Sequence, residues 1–257
     1  MEQIRNKSEL ARRYLDSALK ELRKAVIANN AHYQAHFELG LIYLKKATSI
    51  IDQAKRKQCL PADEMEEKNG NAGILLRKSK KHFLVTAKDN ELASKSYNNL
   101  SAIALHFNEY ENAIEYSRKT LKDLVYDETY VANANMGWGY YYLEKYRKAE
   151  AKLKEALMEQ SKYCLARYRL ARVYFDQNKF NQAAREFKKT IDQGPPCNGI
   201  QEAYLYFGLS LVQLNKVNLA SYIFKRCLLV QKESCVAKKC RRNLKIMASD
   251  NPSPENK

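Results

Sequence analysis

The stretch NMGWGYYYLEKYRKAEAKLKEAL, residues 135–157, holds the chain's only tryptophan among tyrosines and glycines and then becomes strongly charged. A small residue at Gly137 is followed by Tyr140, and a second small residue at Ala149 is followed by Leu153. Apolar residues at three- and four-residue intervals are typical of amphipathic helices rather than strands. The stretch therefore predicts two helices whose backbones cross closely at the small residues.

The same spacing recurs along the chain with a period of about 34 residues. The positions equivalent to Gly137 are Gly40, Ser101, Ala171 and Gly208. Turn-favouring residues separate the two helices of the units at 108–109, 144–145, 178–179 and 215–216. A period of this length with small residues at the crossings is the tetratricopeptide signature. We therefore expect an all-α fold, a tetratricopeptide-repeat α-solenoid superhelix of about six helical hairpins.

The repeat pattern predicts one continuous domain over residues 1–248, because each unit of a solenoid stacks only on its neighbours. The spacing widens inside one hairpin, where an insert of roughly residues 47–73 is polar and contains proline and glycine. We expect this insert to be an exposed, mobile loop after an extended first helix. A capping helix is expected over about 234–247, followed by a disordered tail over 249–257.

The chain carries 45 Lys and Arg against 29 Asp and Glu, a formal charge of +16. Such a charge favours acidic proteins, anionic lipid or nucleic acid as partners. However, the lysines alternate with glutamates at helical spacing, which is typical of a solvated helix face. No nucleic-acid-binding module accompanies them, so no nucleic-acid partner is predicted. The sequence also contains no apolar run of the length that a membrane span needs.

Five of the six cysteines lie between residues 164 and 240, and Cys59 lies in the insert. Cys164 and Cys197 bracket one hairpin, and Cys227 and Cys240 lie at similar distances on either side of the turn into the capping helix. Both pairs are therefore disulfide candidates, with Cys235 an alternative partner in either pair. The other interpretation is that Cys227 fills a small core position and the remaining cysteines are inert thiols. No zinc-binding spacing is present.

An enzyme is not predicted, and no cofactor or metal is expected. His32 and His36 share a helix face, but HYQAH lacks the glutamate of a zinc hydrolase and no third ligand is evident. A surface or helix-cap role is favoured for them, and an enzyme that uses this face is the weakest of three hypotheses. The sequence shows no phosphate-binding glycine loop and no nucleophile that its spacing pairs with a histidine.

Function is instead expected on the concave face, which the first helix of each hairpin lines. The repeat register predicts the following lining residues: Phe37, Leu41, Leu44, Asn98, Ala102, Leu105, His106, Ala134, Trp138, Tyr141, Tyr142, Leu165, Tyr168, Arg172 and Phe175. Trp, Tyr and Arg in a concavity are typical of a protein-binding hot spot. The alternative is that some of these aromatic rings pack against the neighbouring repeat.

Tetratricopeptide chaperone adaptors hold a peptide carboxylate with Lys and Asn at set positions of three repeats. Asn135 and Arg169 match two of those positions. Asn98, Ala102 and Leu165 stand where Lys, Asn and Lys are required. The set is incomplete, and this mode of binding is not predicted.

The order of features from Tyr97 to Leu244 resembles the PilF/PilW/Tgl family of type IV pilus assembly lipoproteins. The resemblance includes the connection LVYDETYVANANMGW between repeats. The segments YCLARYRLARVYFDQNKFNQAAREF and CRRNL are similar to the Tgl branch in particular, with cysteines at matching places. The resemblance covers about 150 to 200 residues, and its specificity depends on the connection and the cysteines.

The resemblance implies a pilotin, a lipoprotein at the periplasmic face of the outer membrane that helps the pilus secretin to localise and multimerise. The sequence begins without the family's signal peptide and lipid-bearing cysteine, so two expectations stand. One is a lipid-anchored protein whose partner is the secretin. The other is a cytosolic scaffold or adaptor that binds peptide segments of signalling or chaperone partners.

Overall fold

The computed structural model describes residues 2–56 and 62–250, with side chains described for 13–54 and 70–249. These residues form twelve α-helices, one 3₁₀ turn at Cys197–Gly199 and no strand. The helices span Glu2–Ala28 (α1), Tyr33–Arg56 (α2), Ala62–Thr86 (α3), Ala93–His106 (α4), Tyr110–Thr120 (α5), Thr129–Tyr142 (α6), Tyr146–Glu159 (α7), Cys164–Asp176 (α8), Phe180–Asp192 (α9), Gln201–Gln213 (α10), Val217–Val230 (α11) and Cys235–Asp250 (α12). The hairpins α2–α3, α4–α5, α6–α7, α8–α9 and α10–α11 stack in chain order, which confirms the predicted tetratricopeptide solenoid.

Each hairpin crosses at a small residue of its first helix. A Cβ on Gly137 would lie 2.8 Å from Cγ of Leu153, and one on Gly208 would lie 2.5 Å from the Phe224 ring. In α4 the same register position is Ser101, whose hydroxyl lies 2.8 Å from the hydroxyl of Ser117. Since a larger side chain would push the two helices apart, the small residues set the spacing of each hairpin.

The turns inside four hairpins share one backbone feature. Asn108, Glu144, Asn178 and Asn215 have φ values of 59°, 57°, 56° and 56°. This left-handed conformation ends the first helix and reverses the chain, and asparagine tolerates it better than most residues. These residues were the predicted turn positions, so the structure confirms where the hairpins fold back.

The predicted loop at residues 47–73 is wrong for most of its length. Helix α2 continues to Arg56 and α3 already begins at Ala62, so both helices of this hairpin are extended. Ala47, Ala54 and Ala72 are buried at 0%, 4% and 0% exposure. Small apolar residues on facing helices allow close packing, which outweighs the polar composition of the insert. Residues 57–61 of the insert lie outside the described residues.

The chain ends of the solenoid also differ slightly from the sequence prediction. The capping helix α12 runs from Cys235 to Asp250, so residues 249 and 250, assigned to the tail, are helical. The rest of the predicted tail, 251–257, lies outside the described residues. At the other end, α1 is a single helix that packs on α2, without a partner helix of its own hairpin among the described residues.

The buried side chains form separate cores along the solenoid. The C-terminal core extends from Ala134 in α6 to Cys240 in α12. The N-terminal core is built around Phe37, Phe83 and Leu100 of α2, α3 and α4, and a smaller cluster joins α1 to α2. This division is expected of a solenoid, in which each repeat buries its apolar face against the next.

Candidate protein-binding groove

The first helices of the central hairpins, α4, α6, α8 and α10, pack side by side and line the concave face of the solenoid. We call this face the groove. The helices are held in register by the crossings described above, so side chains one repeat apart stand next to each other. The groove is consequently a surface built from several repeats and not a loop site.

The centre of the groove is an aromatic cluster of Tyr110, Trp138, Tyr141 and Tyr142. The rings of Trp138 and Tyr141 are stacked with centroids 4.2 Å apart. Tyr142 meets Trp138 edge to face at 5.1 Å and stacks on Tyr110 of α5 at 4.6 Å. Such contacts fix the orientation of each ring, so the cluster presents a preformed apolar surface.

Arg172 connects this cluster to the next two helices. Its Nη2 donates a hydrogen bond of 2.9 Å to the hydroxyl of Tyr141, and it lies 3.4 Å from a carboxylate oxygen of Asp176. The Tyr141 hydroxyl in turn donates to the Asp176 carboxylate. The Arg172 guanidinium also stacks on the Tyr206 ring of α10, 3.7 Å from its centroid. One cation therefore links α6, α8 and α10.

Burial and charge alter the acidity of several groups in the groove. Burial raises the pKa of Tyr141, and its hydrogen bond to Asp176 raises it further. Burial also raises the pKa of Tyr168 to about 12. Both hydroxyls are therefore neutral at physiological pH and are available only as hydrogen-bond donors and acceptors.

Arg169, one turn before Arg172, is almost completely buried, with 9% exposure. Its Nη1 donates to the carbonyl of Ala134 at 3.1 Å and to Oδ1 of Asn135 at 3.0 Å. The guanidinium carbon lies 5.5 Å from the centroid of the Trp138 ring. Burial lowers the pKa of Arg169, since the charged form is poorly solvated there.

The predicted lining residues fall into three groups. Tyr142 and Leu165 are exposed at 45% and 36%, and Ala102 and His106 are also exposed. The half-buried residues are Leu41, Leu44, Leu105, Trp138, Tyr141, Tyr168, Arg172 and Phe175. The buried residues are Phe37, Asn98 and Ala134. The rings at the centre of the groove are therefore partly open and partly packed against neighbouring repeats.

The three buried residues correct the sequence prediction. Ala134 is fully buried and belongs to the C-terminal core. Phe37 packs edge to face on Phe83 at 5.6 Å inside the N-terminal core. Asn98 donates a 2.9 Å hydrogen bond to the hydroxyl of Tyr126 from the α5–α6 connection. Each was placed on the groove by register alone, and neighbouring side chains cover it.

The sequence prediction also missed two contributors to the groove. Tyr206 occupies the same register position in α10 as Arg169 in α8 and Asn135 in α6, and this position was not among those predicted to line the groove, so extending the lining register to α10 would not have found it. Tyr110 begins a second helix, α5, and stacks on Tyr142 from the end of the hairpin turn. No repeat rule identifies that contact.

Trp138, Tyr141 and Tyr142 form a partly exposed aromatic surface on the concave face. Two shallow pockets lie elsewhere, one of about 290 Å³ along Lys45 to Gln53 of α2 and one of about 340 Å³ between α9, α10 and α11. The second has an apolar floor that includes Phe207 and Leu219. An open aromatic surface suits an extended or helical polypeptide better than a small molecule.

The histidines do not form a metal site within the described part of the chain. His32 caps the start of α2, where its Nδ1 accepts the backbone N–H of Ala35 at 3.3 Å. His36 is buried, and its Nδ1 lies 2.8 Å from Nδ1 of His82 in α3. Across the described residues no group of three or more His, Cys, Asp or Glu side chains comes together.

Both candidate disulfides are present. Cys164 at the start of α8 bonds Cys197 in the 3₁₀ turn after α9, with Cα atoms 5.5 Å apart. Cys227 of α11 bonds Cys240 of α12, with Cα atoms 6.5 Å apart. Cys235, the alternative partner, takes part in neither pair. The bridges tie the last two hairpins and the capping helix together on the C-terminal side of the groove.

None of the described helices combines the length and apolar composition that crossing a bilayer requires. A family model described as tetratricopeptide repeat matches residues 141–203, which run from the end of α6 into α10. A search of curated proteins found no match for the chain.

Several solved structures share the fold. PilF of Pseudomonas aeruginosa is 15% identical, with a TM-score of 0.62 over 92% of this chain and 93% of that chain. PilW, described as a widely conserved type IV pilus biogenesis factor, is 19% identical, with a TM-score of 0.64 over 91% and 96%. YrrB, described as a tetratricopeptide-repeat protein with an unusual peptide-binding site, is 14% identical, with a TM-score of 0.50 over 86% and 97%. The chain thus has a tetratricopeptide-like fold, similar to the folds of PilF and PilW.

Proposed function

We propose that this protein is a non-enzymatic assembly factor that binds a segment of another polypeptide in the groove. The observation that carries this proposal is the preformed aromatic cluster, in which Trp138 is half-buried and Tyr142 is 45% exposed. Large aromatic side chains on a concave surface supply much apolar contact area at little entropic cost. The basic surface of the chain adds long-range attraction for an acidic partner.

The network beneath the cluster supports the same proposal. Stacking on Trp138 and the hydrogen bonds to Arg172 and Asp176 hold Tyr141 in place before any partner arrives. A partner therefore does not have to order these rings, and less of its binding energy is lost to side-chain entropy.

The proposed partner is the type IV pilus secretin. Two features support this: the sequence resemblance to pilus assembly lipoproteins, and the fold likeness to PilF and PilW over more than 90% of the chain. In this proposal the protein works at the periplasmic face of the outer membrane, held by a lipid anchor, and promotes localisation and multimerisation of the secretin. Binding a monomer segment in the groove would keep monomers soluble and close to the membrane until they assemble.

The disulfides support an oxidising compartment over the cytosol. Disulfides persist in the periplasm and are rare in cytosolic proteins, where thiols are kept reduced. Labelling of thiols without reductant, on protein denatured in acid directly from cells, tests this part of the proposal, because Cys197, Cys227 and Cys240 are buried in the folded chain. A periplasmic protein should show Cys164, Cys197, Cys227 and Cys240 unlabelled until it is reduced, whereas free thiols at these positions would favour the cytosolic scaffold.

The central experiment removes the aromatic surface. In a strain that depends on this protein for secretin assembly, the double variant Trp138→Ala with Tyr142→Ala should abolish the secretin multimer seen on gels. Loss of two hot-spot aromatics should weaken binding to purified secretin monomer on the order of 100-fold or more. Far-UV circular dichroism should show unchanged helicity, because neither ring belongs to the buried core.

A matched control removes exposed apolar side chains outside the groove. Leu219 and Tyr222 of α11 are 44% and 54% exposed. The double variant Leu219→Ala with Tyr222→Ala should leave multimer formation and monomer binding unchanged. Normal assembly in the Trp138 and Tyr142 variant would overturn the proposed function of the groove.

A further inference from the structure

The capping helix α12 carries a concentration of positive charge that the other helices of the C-terminal half balance. Its sixteen residues include five Lys and Arg and one acidic residue, Asp250. Helix α7, of similar length, has four Lys and Arg and three Glu. The positive charge of the chain is therefore unevenly distributed, and α12 is one of its centres.

The cations of α12 lie on the side that faces away from the solenoid. The opposite side packs on α10 and α11 and includes Ala237 and Cys240, which are both fully buried. Four cations are exposed: Lys238, Lys239, Arg242 and Lys245. Since Arg242 is three or four residues from each of the other three, the four side chains share one side of the helix. We call this side the cationic face.

The charge of the cationic face is not cancelled within the described part of the chain, where none of its four cations has an ion-pair partner. Their neighbour Arg241 has one, because it lies 3.6 Å from a carboxylate oxygen of Glu233. On α7, by contrast, Lys152 lies 2.6 Å from its glutamate partner and Lys154 lies 2.7 Å from its own. The cationic face consequently produces a positive field where a paired helix face does not.

The cationic face is also held in a fixed place. The disulfide between Cys227 and Cys240 ties α12 to α11, and Leu244 and Met247 pack against the C-terminal core. The helix therefore does not have to fold or turn when its exposed side meets a partner. Its four charges act together on one surface.

We propose that the cationic face of α12 binds the surface of an anionic lipid bilayer. Clusters of four or more Lys and Arg on a helix are attracted to anionic headgroups, and the attraction acts within a Debye length of the surface. Ile246, next to Lys245, is 48% exposed and adds an aliphatic contact at the level of the headgroups. This surface is separate from the groove, and the inference does not depend on what the groove binds.

The composition of the cationic face favours lipid over the other anionic partners. Three of its four cations are lysine, a residue that protein interfaces contain less often than the rest of the surface does. Helix α12 contains no aromatic residue, whereas sites for single-stranded nucleic acid stack bases on aromatic rings. Lipid headgroups in a fluid bilayer rearrange around the cations and require neither feature.

The test measures how the 257-residue chain, with no lipid attached, partitions onto vesicles in a sedimentation assay. The wild-type protein should bind vesicles of phosphatidylcholine with phosphatidylglycerol and not vesicles of phosphatidylcholine alone. The triple variant Lys238→Gln with Arg242→Gln and Lys245→Gln should bind the anionic vesicles about 100-fold more weakly, since each cation contributes about fivefold. Binding of the wild-type protein should weaken as the salt concentration rises.

The matched control removes three exposed cations of α9, in the triple variant Arg185→Gln with Lys188→Gln and Lys189→Gln. Both triple variants lower the formal charge of +16 by three. The α9 variant should bind anionic vesicles nearly as well as the wild-type protein. An equal fall in the two variants would overturn the inference, because the charge of the whole molecule would then account for binding.

Other outcomes would also overturn the inference. Equal binding of the wild-type protein to neutral and anionic vesicles would show that charge does not drive the contact. An α12 variant that keeps vesicle binding but loses binding to a DNA duplex would assign the cationic face to nucleic acid. Circular dichroism should show wild-type helicity in both variants, because all six substituted side chains are exposed.

Discussion

The hairpins α2–α3 and α10–α11 cross through the same kind of contact, but their helices differ in length and in the other interactions that hold them. In each, a glycine of the first helix lies against a phenylalanine of the second, Gly40 against Phe83 and Gly208 against Phe224. The N-terminal hairpin has two long helices and a buried histidine pair. The C-terminal hairpin has short helices and a disulfide to the capping helix.

The groove also differs between the two halves. Leu41 of α2, Ala102 of α4 and Trp138 of α6 occupy one register position, and of these three residues only Trp138 is aromatic. The repeat thus sets the backbone, and the side chains added to it decide whether a repeat is a packing unit or a recognition unit. The predictions below test how far the two halves depend on different interactions.

The largest expected effect concerns the disulfide between Cys164 and Cys197 in the C-terminal half. The bond between Cys164 and Cys197 closes a loop with a sequence separation of 33. Replacing both residues by serine should lower the free energy of unfolding by about 3–4 kcal/mol, since the unfolded chain regains loop entropy. Denaturant unfolding followed by circular dichroism measures this change.

Hydrogen exchange then locates the effect. Because solenoid repeats are stabilised mainly by their neighbours, protection should fall in α8 and α9 and change little in α2 and α3. An equal fall in both halves would mean that the solenoid unfolds as one unit, and the comparison of two separately stabilised halves would be wrong.

The second prediction concerns the glycine crossings, which the two halves share. A Cβ at Gly208 would lie 2.5 Å from the Phe224 ring, and one at Gly40 would lie 2.8 Å from the Phe83 ring. Both Gly208→Ala and Gly40→Ala should therefore lower the free energy of unfolding, by about 1–3 kcal/mol each.

Gly70 is the matched control, because no atom lies within 4 Å of a Cβ placed there. Gly70→Ala should raise the free energy of unfolding by about 0.5–1 kcal/mol, since alanine is a better helix former. If Gly208→Ala were as harmless as Gly70→Ala, the crossing contact would not set the spacing of the hairpin.

The third prediction concerns pH and the N-terminal half alone. Burial, followed by the charges of His36, Lys81 and Arg23, lowers the pKa of His82 from 6.5 to about 4. Between these pH values the unfolded chain binds a proton that the folded chain does not. The contribution of neutral His82 to the free energy of unfolding is therefore complete above pH 6.5 and is lost as the pH falls toward 4.

Hydrogen exchange of α2 and α3 at a series of pH values measures this loss. Protection in these helices should decrease below pH 6.5 more than protection in α10 and α11. The variant His82→Asn removes the titrating ring and should flatten the pH dependence. A pH dependence that persists in this variant would exclude His82 as its source.

The smallest effect is expected for the ion pair between Lys80 of α3 and Glu109 before α5. Nζ of Lys80 lies 2.6 Å from Oε2 of Glu109, and the two side chains are 25% and 32% exposed. Partly solvated ion pairs contribute little, so Lys80→Gln should cost about 1 kcal/mol or less. Raising the salt concentration should reduce the difference between variant and wild type, and a salt-independent loss would point to packing instead.

Much of the fold could be predicted from sequence because its rules are local and repeated. The crossing residues and the left-handed turn residues, such as Gly137 and Asn108, recur at a fixed spacing and can be counted along the chain. The insert at 47–73 was predicted wrongly because polar composition was read without its periodic alanines, Ala47, Ala54 and Ala72, which pack in the hairpin.

The groove could be predicted only in outline. Register predicts which positions of the first helices face the concave side, but it carries no information on which neighbours cover them, as the buried Phe37 and Ala134 show. Tyr110, the first residue of α5, contributes by stacking on Tyr142, and the repeat pattern does not predict this contact.

The sequence by itself determined the helical hairpins, their crossings and their turns, because backbone geometry at these places requires small or turn-favouring residues whatever surrounds them. Only the tertiary structure decided which aromatic rings of the groove stay partly exposed and that the buried Arg169 donates its hydrogen bonds to the oxygens of Ala134 and Asn135. The exposure of a ring and the hydrogen-bond partners of a charged side chain depend on side chains from neighbouring repeats. The distances between these side chains are fixed only when the repeats stack.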